Sequence, residues 1–275
     1  QMNDTKAAYG RIYGQEKNLA TSAIARMNLY LHGAMDFKVT QGDTLRSPNY
    51  IYRGELRTFD CCIANPPFGL SKWGADQFLT DIYGRNIWGC PSDSNADFAW
   101  IQHMIHHLAP NGKIGLVLAN GALSSQTSGE GEIRKRIIED DLVEAIVAMP
   151  TQLFYSVTIP VTLWFISKNK KQKGKTLFIN AAKLGHMVDR IHNDLSDEDI
   201  RLLADTVESF QNGTLEDEKG FCAVCTTEDI AKQDYILTPG RYVGIEEQED
   251  DGEPFDEKME RLTTELSALF AKSHD

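Results

Sequence analysis

Residues 59–68 read Phe59-Asp-Cys-Cys-Ile-Ala64 followed by Asn65-Pro-Pro-Phe68. The first six form an apolar run of strand length, and a double proline cannot continue a central strand. A tetrapeptide just past the carboxyl end of a buried strand sits where open α/β sheets bind their ligands. Its residue types suit one task. The Asn65 side-chain carbonyl and the Pro66 backbone carbonyl offer two acceptors for an exocyclic amine. Pro66 and Pro67 stiffen the loop, so these acceptors are in place before a substrate arrives. Phe68 supplies a flat face for stacking on a planar base. Accepting both amine hydrogens turns the nitrogen lone pair toward an electrophile. The alternative is a turn whose prolines only end the strand, because Asn-Pro pairs often mark turns.

Outward from this motif, strand-like and helix-like runs alternate. Short strands are expected at 11–14, 37–41, 113–119, 142–149, 161–167 and 175–181, besides 59–64. Ala20, Ile24, Met27 and Leu31 recur at helical spacing, and helices are also expected over 97–108, 132–139, 197–210 and 256–272. This alternation predicts an α/β fold with a mostly parallel sheet covered on both faces. The runs 161–167 and 175–181 leave no room for a helix between them, so they are expected to pair antiparallel as an edge hairpin. The five lysines of 168–175 then read as its solvated turn. Residues 69–96 read as a long loop, in which Trp73 and Trp88 either anchor the segment or approach a ligand. The expected divisions are a core over 1–185, an extension of it over 186–245, and an acidic linker with a terminal helix over 246–275.

The chain has 275 residues, enough to bury a sizeable core, and a net charge of −12 from 28 basic and 40 acidic residues. A protein that grips DNA unaided carries a basic face, so the balance argues against autonomous DNA binding. From Glu246 to Glu257 eight of twelve residues are acidic and none is basic, the pattern of a solvated linker. No apolar run approaches the roughly 20 residues of a membrane helix. The five cysteines are odd in number, which suits a reducing cytoplasm better than a disulfide framework. Cys222-Ala-Val-Cys225 is a lone pair without a second set of ligands, so no metal site is expected. His103, His106 and His107 fall off the apolar stripe of their helix and read as surface groups.

Phe59–Phe68 resembles the catalytic motif of amino-group DNA methyltransferases that use S-adenosyl-L-methionine. Tyr13-Gly-Gln-Glu-Lys-Asn18, Met27-Asn-Leu-Tyr-Leu-His-Gly33 and Gly42-Asp-Thr-Leu45 narrow the resemblance to the modification (M) subunit of type I restriction–modification systems. So do Glu132-Ile-Arg-Lys135, the run from Leu153-Phe-Tyr to Ile159-Pro160, Leu177-Phe-Ile-Asn-Ala181 and Arg241-Tyr-Val243. The resemblance implies a Rossmann-like methyltransferase sheet and methyl transfer to the N6 amine of adenine in DNA. It implies Glu16 as the carboxylate that holds the cofactor ribose and Asp43 as a contact to the cofactor adenine, with Asn65, Pro66, Pro67 and Phe68 as the catalytic loop and Asn65 also in contact with the cofactor. It also implies a specificity (S) subunit, a restriction (R) subunit and two M subunits per complex. The family's glycine-rich acidic loop is not found here. The expectation is therefore that the first strand, its loop and an N-terminal helical domain lie outside this chain, and that the 275 residues alone are inactive. A non-catalytic scaffold with a methyltransferase-like fold is the alternative.

Overall fold

The computed structural model describes residues 9–155, 158–245 and 255–273. In chain order the elements are β1 (Ile12–Glu16), α1 (Leu19–Leu31), β2 (Phe37–Gln41), β3 (Ile51–Tyr52), β4 (Glu55–Leu56), β5 (Phe59–Ala64), α2 (Ala75–Leu79) and α3 (Asp97–His106). They continue with β6 (Leu108–Ala119), α4 (Gly121–Ser124), α5 (Glu130–Glu139), β7 (Val143–Ala148), β8 (Val161–Ser167) and β9 (Lys175–Asn180). The last are β10 (His186–Met187), β11 (Asn193–Asp194), α6 (Asp197–Asn212), β12 (Cys222–Thr226), α7 (Thr227–Ala231) and α8 (Phe255–Ser273). The chain divides into two compact units, Gln1–Gly244 and Ile245–Asp275. The acidic stretch expected as a linker falls mostly outside the described residues.

The main sheet has six strands in the order β12-β9-β7-β8-β6-β5. β5, β6, β7 and β9 run in one direction, and β8 and β12 run against them. The expected α/β class and mostly parallel sheet are therefore present. The expected hairpin is not. β8 lies between β6 and β7, antiparallel to both, and β9 pairs parallel with β7 on its far side. The reason lies in burial. Trp164 and Ile166 of β8 pack into the core on one face, and Val161, Leu163 and Phe165 pack into the core on the other, so the strand has core on both faces and belongs inside the sheet. Strands lie about 4.8 Å apart, so the seven residues 168–174 reach over β7 easily. The antiparallel edge strand is β12, paired with β9.

That crossing corrects the reading of the lysine cluster. Lys170 is 3% exposed. Its Nζ lies 2.5 Å from Asp141 Oδ1, and the same oxygen accepts the Gly174 N–H at 3.0 Å. Burial pushes the Lys170 ammonium below its ordinary range, and Asp141 opposes that shift. One lysine of the cluster thus pins the crossing, and Lys168 donates to the Leu108 carbonyl at 2.8 Å.

The core gathers on the faces of this sheet. Phe98 of α3 meets Trp164 at 6.4 Å between ring centroids, and Tyr242 stacks on Phe178 at 3.9 Å. Side-chain caps set the starts of α1, α6 and α7. Asn18 Oδ1 accepts from Ala20 N and Thr21 N at the start of α1, and Ser196 and Asp199 form a reciprocal capping box on α6.

β5 is the last strand of the sheet, so its burial differs from expectation. Asp60 and Cys61 are exposed, and Ile63 is 82% exposed. β1 and β2 form a separate parallel pair joined through α1. α1 has the helical period read from the sequence, but Ile24, Met27 and Leu31 on its apolar stripe are exposed.

Candidate functional site at the carboxyl ends of the strands

Two levels of contact align the small sheet with the large one. At the strand starts, Tyr13 of β1 meets Phe59 of β5 at 5.2 Å, and the Arg57 guanidinium lies over Tyr13 at 4.3 Å. Beyond the strand ends, Arg46 Nη2 donates to the Lys72 carbonyl at 2.7 Å and Arg46 Nε to the Trp73 carbonyl at 3.1 Å. β1, β2 and β5 therefore finish on the same side of the molecule, and their carboxyl ends carry the residues singled out from the sequence.

Asn65 follows the last residue of β5. Its side chain is exposed and has no hydrogen-bond partner among the described residues. Pro66 is buried and Pro67 exposed, so the loop is anchored through one ring while Asn65 stays open. Phe68 is half-buried, with Phe154 edge-on at 6.4 Å. The turn after it uses Gly69 at φ +61°, a conformation that L side chains seldom adopt.

Glu16 closes β1 opposite Gln41 in the parallel register. Its Oε1 accepts the Asn18 N–H at 2.7 Å, and Oε2 has no partner among the described residues. Asp43 lies two residues past β2. Burial opposes its charge, but the Lys17 ammonium at 2.9 Å and the Arg46 N–H at 3.2 Å outweigh burial and hold it below the ordinary carboxylate range. Lys17 is 75% exposed, so that ion pair is screened and contributes little, about 0–1 kcal/mol. Both carboxylates thus stand at neighbouring strand ends with acceptor capacity to spare.

Sequence reasoning missed Asp97, which read only as a helix start. It is 3% exposed, and Asn95 and the neighbourhood of the Gly69 N–H stabilise its charge. Burial pushes its carboxyl above the ordinary range, and the nearby Glu130 carboxylate adds to the effect. Glu130 is 2% exposed, and Asp97 Oδ1 and Glu130 Oε2 are buried without hydrogen-bond partners among the described residues. Two helix-starting acids of this kind have no signature in sequence, where they look like ordinary dipole-complementing residues.

The long segment 69–96 is packed, not open. Trp73 is 3% and Trp88 6% exposed. Trp73 Nε1 donates to the Ser92 carbonyl and Trp88 Nε1 to Asp140 Oδ2, so both tryptophans anchor the segment. The histidine expectation is corrected as well. His103 and His107 are each 7% exposed. The Arg85 guanidinium donates to His103 Nδ1 at 3.1 Å, and His107 Nδ1 lies 2.6 Å from the Arg57 carbonyl. Burial holds both rings below the ordinary imidazole range. Cys222 and Cys225 lie in β12, consistent with strand packing.

The family profile described as N-6 DNA Methylase matches residues 1–251. The methylase subunit of type I restriction enzyme HindI from Haemophilus influenzae is 48% identical over 264 residues, covering 95% of this chain and 58% of that protein. The MjaIX methylase subunit from Methanocaldococcus jannaschii is 45% identical, covering 94% of this chain and 47% of that protein. The chain thus spans about half the length of the curated relatives it matches. Among solved structures, the type I methyltransferase subunit from Streptococcus thermophilus aligns with a TM-score of 0.76 at 30% identity, covering 85% of this chain and 48% of that one. The EcoKI M protein shares the fold, with a TM-score of 0.67 at 18% identity over 100% of this chain and 62% of that one. With the matched profile covering most of its length and relatives near half identical, the chain belongs to the N-6 DNA methylase family, among the methylase subunits of type I restriction enzymes.

Proposed function

We propose that this chain is the catalytic part of a DNA methyltransferase that moves a methyl group from S-adenosyl-L-methionine to the N6 amine of adenine. The observation that carries the reading is the exposed Asn65 on a proline-stiffened loop at the end of β5, with Glu16 and Asp43 at the neighbouring strand ends. Glu16 would accept from the cofactor ribose hydroxyls and Asp43 from its adenine amine; the donor chemistry of both fits those groups. When bound, the cofactor supplies an electrophilic methyl group on a sulfonium.

The chain's own residues do the rest. The Asn65 carbonyl and the Pro66 backbone carbonyl accept the two amine hydrogens and aim the lone pair. Neither is a base, so the loop positions the nitrogen and does not deprotonate it before attack. Phe68, braced by Phe154, stacks on the base. The amine is inside a duplex, so the base must leave the stack to reach this loop. Target choice falls to a separate specificity subunit, a restriction subunit joins for cleavage, and two methylase subunits share the complex. The −12 charge supports this division of labour. Residues 1–185 serve as the core and 186–245 as its extension. The 246–275 stretch serves as a linker and subunit interface, with Met259, Leu262, Leu266 and Leu269 exposed on α8. No helix among the described residues is long and apolar enough to cross a membrane, and we place the protein in the cytoplasm.

Incorporation of labelled methyl into unmethylated DNA by the protein with its specificity subunit tests the reading; label in N6-methyladenine is expected, and its absence sinks it. Phe68→Ala should lose about 1–3 kcal/mol of base stacking. Phe68→Trp should keep much of the activity. Unchanged methyl transfer and unchanged 2-aminopurine fluorescence at the target in Phe68→Ala would remove the stacking role.

A further expectation concerns the 275 residues by themselves. Two carboxylates can hold the ribose and adenine of the cofactor, but the sequence offers no glycine-rich loop for its methionine end. β5 also ends the sheet with Ile63 exposed, an aggregation liability. Calorimetric titration of this chain with S-adenosyl-L-methionine should therefore give weak or undetectable binding. Micromolar binding would show that the cofactor is held elsewhere.

A further inference from the structure

Asp97 has no role in the chemistry above, yet it stands against the loop that performs it. The turn after Phe68 is made by Gly69 at φ +61°. Nothing lies within 4 Å of where a Cβ on Gly69 would stand, so the backbone angle, not a lack of space, calls for glycine there. The Gly69 N–H lies beside the Asp97 carboxylate and stabilises its charge.

Asp97 itself is held firmly. It opens α3, whose Phe98, Ala99 and Ile101 are fully buried. Asn95 brackets it: Nδ2 donates to Asp97 Oδ2 at 3.3 Å, and Oδ1 accepts the Asp97 N–H at 3.2 Å. The residues after Gly69 run back beside those before Asp97. The Lys72 N–H donates to the Asp93 carbonyl at 2.7 Å, and Trp73 Nε1 to the Ser92 carbonyl at 2.8 Å. The carboxylate is therefore a fixed point on the core against which the turn after Phe68 is set.

Its surroundings make it a poor choice for stability alone. Asp97 is 3% and Glu130 2% exposed, and the Glu130 charge pushes the Asp97 carboxyl up, the direction in which burial already drives it. Each acid keeps one buried oxygen without a hydrogen-bond partner among the described residues. Arg134, one turn into α5, directs Nε to the Tyr235 carbonyl and Nη1 to the Ser125 carbonyl, both at 2.7 Å, so these donors go to the backbone. Neighbouring buried acids without a close counter-ion lower stability, and local costs of this kind gather at functional sites.

We propose that Asp97 is a positioning residue for methyl transfer: through the Gly69 N–H it fixes the turn that presents Phe68 to the flipped base. This rests on the methyltransferase reading of Asn65–Phe68. Asp97 acts through the loop and touches neither base nor cofactor.

The test uses the protein with its specificity subunit and compares Asp97→Ala with Asp97→Asn. Alanine offers no acceptor to the Gly69 N–H, and misplaced reacting groups are costly, so kcat should fall by about tenfold or more. KM for S-adenosyl-L-methionine should hardly move, since Glu16 and Asp43 are untouched. Removing a buried charge beside Glu130 should leave the melting temperature unchanged or raise it. Asparagine keeps an oxygen in place and should recover most of the lost rate. In a Phe68→Ala background, where the turn has no ring to present, Asp97→Ala should slow transfer by less than about threefold, because the two act as a unit. A kcat for Asp97→Ala within about threefold of the unsubstituted protein overturns the assignment, as that is below the cost of misplacement. So does an asparagine variant as slow as the alanine one, or equal slowing with and without Phe68. A lower melting temperature in both variants makes Asp97 a structural residue and also overturns it. If the unsubstituted protein transfers no methyl group, the methyltransferase reading falls and this role with it; if it does, failed variant results remove the positioning role alone.

Discussion

Asn65→Ala abolishes methyl transfer while the protein stays folded: that is the expected result with the largest effect on activity. Asn65 lies beyond β5, is exposed, and has no hydrogen-bond partner among the described residues, so its removal leaves no buried group unpaired. What it removes is one of two acceptors fixed in place before the amine arrives. Loss of one such preorganised contact at a reacting centre costs on the order of 10²–10³ in rate, or about 2.7–4 kcal/mol of barrier. The loss should fall mainly on the chemical step, with a smaller effect on cofactor affinity, since Glu16 and Asp43 are untouched. Asn65→Asp is the sharper companion. It keeps an acceptor in place, adds a charge and removes the amide donor, so partial activity there with none in Asn65→Ala would support lone-pair steering. Incorporation by Asn65→Ala within about tenfold of the unsubstituted protein would reject the role, because an effect that small is below the range for such contacts.

The largest effect on stability is expected from Arg85→Met. The Arg85 side chain is 2% exposed and sits among four groups. It grips Asp81 through Nη2 at 2.7 Å and Nε at 3.0 Å, donates to the Leu45 carbonyl at 2.9 Å and to His103 Nδ1 at 3.1 Å, and lies over Phe78 at 5.0 Å. The network ties the segment 69–96 to the end of β2 and to α3. Without the guanidinium, the Asp81 carboxylate at 5% side-chain exposure is a buried charge with no counter-ion. Breaking a buried pair from one side costs about 3–5 kcal/mol. Urea unfolding should show the unfolding free energy falling by that amount, as a lower midpoint at constant slope. A change below about 1 kcal/mol, within the range of ordinary surface substitutions, would show that the network is dispensable.

The same site gives the stability a pH dependence of known sign. His103 accepts a hydrogen bond from a cation, so it must be neutral when folded, and its burial lowers its pKa well below the ordinary imidazole value of 6.5. The unfolded chain then binds more protons, and stability that is full above that value is lost as the pH falls below it. His107 and His106 are shifted in the same direction by burial and add to the slope. Arg85→Met leaves the burial of His103 in place, so the variant should keep most of that dependence on a lower baseline.

The amino-acid sequence alone was sufficient for the type and order of the longer elements, because each rests on a local period; the short β3, β4, α2, α4, β10, β11 and α7 were not read from it. Strand runs such as 113–119 and 175–181, and the helix around 97–106, follow from side-chain spacing, and the helix 197–212 from spacing and its Ser196 cap. The motif 65–68 was legible for a related reason: two prolines and an asparagine after an apolar run constrain the backbone within four residues. Glu16 and Asp43 stood out only by resemblance, since an acid after a strand has no pattern of its own.

Tertiary structure decided the rest. Which strands neighbour one another is a property of two-sided burial. The short connection 168–174 suggested a hairpin, but covering Trp164 and Ile166 on one face and Leu163 and Phe165 on the other required β8 to lie inside the sheet. Helical periodicity marks the face of a helix but not the segment that packs on the far side. His103 and His107 fell off the apolar stripe of α3 and are nonetheless buried by the segment 69–96 and by β5, elements distant in sequence. The acid pair Asp97 and Glu130 emerged in the same way. Their environments are made by segments that meet at the strand ends, and that meeting is encoded in no stretch of neighbouring residues.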